Sequence, residues 1–348
     1  MNIVQKYEIG YQLSDNEFSF TNMVSEFKEH IDTVYFPWVD MASGRASLSN
    51  RRGYVEWNAK EILLSDLQEL KRQGIKLNIL FNGSCYGEDS VSTYLENNIR
   101  SVIEYLDVNN ACPEIVTTCS PIIGEMIKRI SKDIKVRASV NMRIGTIKGM
   151  EYLAHIFDEY NVQREYNRNL EHLTMLKEWA DENGKNLILL ANSGCFNFCS
   201  AQSFHDNIVS HEKEINERQN VKDWAKPYCR RYLEKKEHWV EILQGSWIRP
   251  EDIQNYTHLF PVIKLATRMH ANPWIVIEAY TKGKFIGSIT DLLEPGFSGE
   301  MSPYFLDSNK MPEDWFYRTT TCNKQCHKCS YCKTVLETIL TNSQDFYF

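Results

Sequence analysis

Short runs rich in β-branched and aromatic residues alternate along this chain with longer segments whose apolar residues recur at helical spacing. The runs predict strands at Tyr7–Leu13, Thr33–Val39, Lys76–Phe81, Glu114–Thr118, Lys135–Val140, Val162–Tyr166, Leu187–Ala191 and Val262–Ala266. Between them, Ala59–Arg72 carries Ile62, Leu63, Leu67 and Leu70 on one helical face. Val91–Leu106, Ile122–Ile130, Ile147–Tyr160 and Leu170–Asn183 repeat the pattern, and Gly74 and Gly184 stand where helices should stop. Eight strands joined mostly by single helices predict an α/β fold, a TIM-like (β/α)8 barrel. An open doubly wound sheet shares the alternation, but no glycine-rich phosphate loop follows the first strand.

The seventh connection breaks the rhythm, because about seventy residues separate Leu190 from the eighth strand. Loops of that length in a compact domain usually carry function. The expected organisation is a barrel over residues 1–300 with a long insertion at 193–258, followed by a cysteine-rich C-terminal extension over 301–348.

Composition narrows the function. Of 348 residues, 43% are hydrophobic and 24% charged, which supports a sizeable core in a soluble chain. A net charge of −7 gives no global positive field for nucleic acid or an anionic membrane. No apolar run approaches about 18 residues and the first residues lack a signal-peptide pattern, so the expected location is cytoplasmic, with no membrane partner.

Ten cysteines need a chemical explanation, and their clustering argues against a disulfide framework. Cys322, Cys326, Cys329 and Cys332 form a C-x3-C-x2-C-x2-C run. Four thiolates so close together can wrap one compact cluster, each sulfur meeting a different iron, whereas zinc sites more often pair two knuckles across a longer loop. Four free thiols in a frayed tail is the bland alternative. A second set, Cys195 and Cys199 in NSGCFNFC, opens the long insertion directly after the seventh strand, and Cys229 is the next cysteine along. On a barrel this is the active-site end, so metal ligation is expected here too, although buried cysteines are often plain core residues. The fourth ligand stays open, with Cys85 and Cys119 as candidates and Cys112 an ordinary loop thiol.

Cations also gather at predicted strand ends: Arg45, Arg143, Arg164, Arg168, Lys264 and Arg268. Converging on one face, they would form an anion pocket, since guanidinium pairs carboxylate and phosphate in bidentate fashion. His205 and His211 would support a cluster or carry protons, or else serve the fold alone.

Taken together, NSGC-x3-C with His205 following, Cys229, SWIRPEDIQNY, IKLATRM, AY-x2-G-x-F-x-G, YNRN and TCSP resemble the collagenase-like peptidase family U-32, in its shorter single-barrel branches. The resemblance runs from about Tyr7 to Cys332. It implies a TIM-like barrel holding a 4Fe–4S cluster, with Cys195, Cys199 and Cys229 on the family's cysteine positions and Lys264 and Arg268 on its lysine–arginine pair. It also implies oxygen-independent hydroxylation, or for other members proteolysis; the residues themselves fit dehydration or another group transfer at an open iron equally well. The resulting expectation is an iron–sulfur redox enzyme with one or two 4Fe–4S clusters, with Arg164, Arg168, Lys264, Arg268 and His205 acting on an anionic small molecule or a modified macromolecule. Its partners would be an electron-donor protein and further subunits. A non-catalytic electron-transfer or scaffold subunit is the alternative. A peptidase ranks lower, because the sequence contains no HExxH motif and no nucleophile elbow.

Overall fold

A computed structural model describes residues 4–39, 41–44, 48, 58–211, 215 and 227–346. Arg45 lies outside the described residues. Eight parallel strands close in chain order into a barrel: β1 (Lys6–Gly10), β2 (Ile31–Pro37), β3 (Lys76–Phe81), β4 (Ile115–Thr118), β5 (Lys135–Ala138), β6 (Glu159–Asn161), β7 (Asn186–Leu190) and β8 (Val262–Lys264). Closure is made by β1 on β8, with Tyr7 opposite Ile263 and Glu8 opposite Lys264. The expected TIM-like barrel is therefore the observed fold.

Local chemistry explains the surrounding helices. Ala59–Arg72 buries Leu63, Leu67 and Leu70 against the barrel, and Gly74, at φ 81°, ends the turn that follows. Pro121–Ile130 starts where the Ser120 side chain accepts from the Ile123 N–H, with proline in the first turn.

Two expectations change. The sixth strand is Glu159–Asn161, not Val162–Tyr166, and the preceding helix stops at Glu151. The strand was hidden because it turns polar residues inward. Glu159 is bonded to Arg137, and Asn161 donates to the Ala138 carbonyl. Residues Arg164–Tyr166 form a short 3-10 turn instead.

The barrel interior is charged. Arg137 on β5 binds Glu8 on the opposite strand β1, and reaches Glu159 at 2.7 Å. Lys264 meets the other Glu8 oxygen at 2.6 Å and lies 3.5 Å from the centroid of the Tyr35 ring. Burial works to raise the Glu8 pKa, but Arg137 and Lys264 outweigh it and bring it down to about 2.

A second apolar core stands outside the barrel. Leu233, Trp239, Ile242, Leu243 and Trp247 from the insertion pack with Phe297, Met301, Trp315, Leu336 and Ile339 from the C-terminal region. A two-stranded antiparallel sheet, β9 (Tyr304–Leu306) with β10 (Leu340–Asn342), lies in the same C-terminal region, with Leu306 in that core. Among the described residues, no helix is long and apolar enough to cross a membrane.

Removing Arg137 leaves two carboxylates buried with inadequate compensation. Arg137→Met should lose roughly 3–5 kcal/mol of stability in chemical denaturation at neutral pH. Because the folded Glu8 pKa lies below its ordinary value of 4.5, its contribution is present above that value and disappears as pH falls toward 2. Glu8→Gln should flatten this part of the acid-denaturation profile.

Candidate functional site

The site begins where β7 leaves the barrel. Asn192 is fully buried and ties three segments together: it donates to the Ala266 and Leu292 carbonyls and accepts from the Ala266 N–H. Ser193 bridges Glu294, and Gly194 donates to the Glu294 carbonyl at 3.1 Å. A Cβ on Gly194 would fall 2.1 Å from the Pro295 carbonyl oxygen, so only glycine permits this approach. The NSG triplet thus fixes where Cys195 leaves the strand.

The insertion then crosses the barrel mouth. The helix Gln202–Ser210 is held by loops from three strands: Ser84 after β3 donates its N–H to Ser210, Arg143 after β5 approaches Asp206 at 3.4 Å, and Arg164 after β6 binds Gln202. Cys199 accepts the Gln202 N–H at its carbonyl, one turn before this helix, and His205 lies on it. A short helix, Tyr228–Tyr232, brings Cys229 to the same place.

Cys195, Cys199, Cys229 and His205 line one cleft of about 640 Å³, together with Met269, Asp291 and Glu294. Burial, and then the nearby Cys195 and Cys199, push the Cys229 thiol up to about 11, while Arg230 pulls it down. Arg230 is bound to Glu300 at 2.7 Å.

The C-terminal run lines a second cleft, of about 340 Å³, with all four cysteines on its wall beside Gln244, Arg318 and Tyr331. Cys322, Cys326 and Cys329 are exposed and Cys332 is half-buried. Burial raises the Cys332 thiol to about 11; Arg168 opposes this, and Cys326, Cys322 and Cys329 add to it. The two cysteine sets are neighbours in the fold. Cys229 and Cys332 both pack on the second apolar core, and Asn197, between Cys195 and Cys199, donates to the carbonyl of Gln244.

Among the described residues, no three His, Cys, Asp or Glu side chains are arranged to hold a single metal ion. A four-iron cluster makes a different demand, because each thiolate binds its own iron and the sulfurs stand further apart than around one ion. Thiols gathered around a common cleft suit that demand: burial, and then the neighbouring thiols, raise Cys229 and Cys332, and a bound cationic core would remove that repulsion.

Among the described residues, the expected anion pocket does not form. Arg164 is buried against Gln202 and 3.8 Å from Glu165. Lys264 belongs to the barrel interior, bound to Glu8. Arg268 is buried and donates to the Ser43 hydroxyl at 3.1 Å. Arg168 turns the other way, toward the second core, where it donates to the Trp247 and Leu243 carbonyls. A guanidinium at a strand end looks the same in sequence whether it serves a ligand or a backbone carbonyl. Of the residues that place the cleft, Asn192 is marked by its polarity at a predicted strand end and Gly194 by the NSG spelling before Cys195, while Gln202 has no signal in the sequence.

No family model matches the chain. It is 24% identical over 285 residues to the uncharacterized protease MJ1657 of Methanocaldococcus jannaschii, across 80% of this chain and 82% of that protein. Among solved structures, the U32 peptidase Mk0906 superposes with a TM-score of 0.52 at 14% identity, over 76% of this chain and 94% of that one. The chain is thus similar in sequence to that protease and in fold to a U32 peptidase. At 14% identity the match to Mk0906 speaks for the barrel alone.

Gly194→Ala is the sharpest test of how the cleft is placed. The added methyl must displace the Pro295 backbone, so a loss of roughly 1–3 kcal/mol is expected in denaturation, with faster alkylation of Cys195. Unchanged stability and thiol reactivity would show that this contact does not position Cys195.

Proposed function

We propose that this U32 relative is an iron–sulfur redox enzyme whose active centre is the cleft of Cys195, Cys199 and Cys229. One observation carries the reading: three cysteines from two segments of the long insertion, Cys195 and Cys199 in one and Cys229 in the other, line one cleft beside the barrel mouth. Cys195, Cys199 and Cys229 would hold one 4Fe–4S cluster, and Cys322, Cys326, Cys329 and Cys332 a second. Such a cluster, when bound, supplies one-electron transfer and, at an iron left without a protein sulfur, a Lewis-acid position.

The chain's own groups then do the remaining work. The helix Gln202–Ser210 lies across the mouth, and its Gln202 and His205 line the cleft. His205 stands in the cleft wall, where an imidazole can hold or release a proton near neutral pH. Asp291 and Glu294 face the same space, so carboxylates line the cleft beside Arg230. Oxygen-independent hydroxylation is the reaction class that the family resemblance supports. The exposure of Cys322, Cys326 and Cys329 suits electron exchange with a donor protein at the outer set.

Protein purified without oxygen should be brown and contain iron with acid-labile sulfide. Cys195→Ala and Cys199→Ala should each lose about half the iron, the share of one of two equal clusters. Cys112→Ala should lose none, since Cys112 sits by the Pro113 carbonyl in a connecting loop. Stoichiometric zinc without sulfide would refute the iron–sulfur assignment, and peptide hydrolysis that survives Cys195→Ala would favour a peptidase.

A further inference from the structure

Arg168 has a setting that the cleft chemistry does not use. Its guanidinium lies 4.8 Å from the Trp247 ring centroid and 5.1 Å from that of Trp315. Its donors go to main-chain carbonyls, Trp247 at 2.6 and 2.9 Å and Leu243 at 2.9 Å. Among the described residues no carboxylate pairs with it; Asp252, whose charge acts on it, is engaged with Arg249 at 2.7 Å. Carbonyl dipoles and ring faces stabilise a cation but do not neutralise it. A buried charge without a counter-charge is expensive, so the arrangement asks for an anion.

The ring stack leads to one. Trp315 is stacked on Tyr331, with centroids 6.2 Å apart, and Tyr331 precedes Cys332. Burial pulls the Arg168 pKa down to about 10, while Tyr256 and then Cys332 are the leading influences that raise it again. Other cations face the run: Arg318 stacks on Tyr331 at 4.7 Å and Lys324 lies within the run, both exposed. Water and salt screen such charges far more than they screen Arg168.

We propose that Arg168 is the fixed counter-charge of the thiolate site formed by Cys322, Cys326, Cys329 and Cys332, and sets the reduction potential of the metal–sulfur group held there. The inference rests on reading that run as a metal–sulfur site. Four thiolates around a cluster core leave a net negative charge, and accepting an electron adds another. A nearby buried cation therefore favours the reduced state. Arg168 is a positioning residue here, acting through its charge without touching iron.

The test is a redox titration of the full chain, reconstituted with iron and sulfide without oxygen and followed by EPR. The relevant signal is the one removed by Cys326→Ala. Arg168→Gln keeps a donor for the Trp247 carbonyl but loses the charge, and should lower the reduced-to-oxidised ratio at fixed ambient potential at least tenfold, about 59 mV for one electron. Arg168→Lys keeps the charge and loses the fork. It should melt at a lower temperature yet hold the wild-type potential, and it decides the matter if the glutamine variant does not fold. An unchanged potential in Arg168→Gln, or a potential in Arg168→Lys that falls along with its melting temperature, would overturn the counter-charge role while leaving the cluster assignment standing. A wild-type chain that takes up no metal at this run would overturn both.

Discussion

Trp247 and Trp315 lie ring against ring, centroids 5.8 Å apart and planes within 18°, and the Arg168 guanidinium rests on both. Trp247 lies toward the end of the long insertion, Trp315 belongs to the C-terminal region, and Arg168 follows β6 of the barrel. Three parts of the chain that are remote in sequence are thus joined by one aromatic and cationic contact. The second apolar core closes around it, and each cysteine set packs against that core. Aromatic stacking and cation–π attraction together contribute on the order of 1–3 kcal/mol. Their larger effect is geometric, because this junction, with the core around it and the Asn197–Gln244 bond, holds the two clefts beside each other.

The barrel divides its labour differently from the simple picture of a polar mouth over an apolar floor. Its interior is a salt-bridged layer in which Glu8, Arg137, Glu159 and Lys264 satisfy one another. Charges so engaged hold opposite strands in register and leave little freedom for a ligand. The mouth is crossed by an insertion helix, and the open space is displaced to the flank, where β7 and β8 end and the insertion returns. Chemistry is moved from the barrel axis to the seam between barrel and second core.

How much of this was legible in the sequence depended on the range of the signal. Ala59–Arg72 and Lys76–Phe81 could be bounded from periodicity alone, because one face of each is apolar and local. The sixth strand could not, since Glu159 and Asn161 point their polarity inward, toward partners that only the closed barrel supplies. Cys195 and Cys199 announced themselves by spacing and by following a buried strand. The destinations of Arg168 and Lys264 were invisible, because a carbonyl ladder at 243–247 and a carboxylate 256 residues away leave no local trace. The second core escaped notice for the same reason, being built from pieces that individually resemble ordinary loop and helix.

The central claim is that two cysteine sets flank one apolar core as two iron–sulfur sites. Diffraction at the iron absorption edge, from crystals grown without oxygen, tests it most directly. The account predicts two anomalous peaks, one bonded to Cys195, Cys199 and Cys229 and the other to Cys322, Cys326, Cys329 and Cys332. Crystals of fully active protein with no iron at the first cleft, and with the Cys195, Cys199 and Cys229 thiols free, would contradict it.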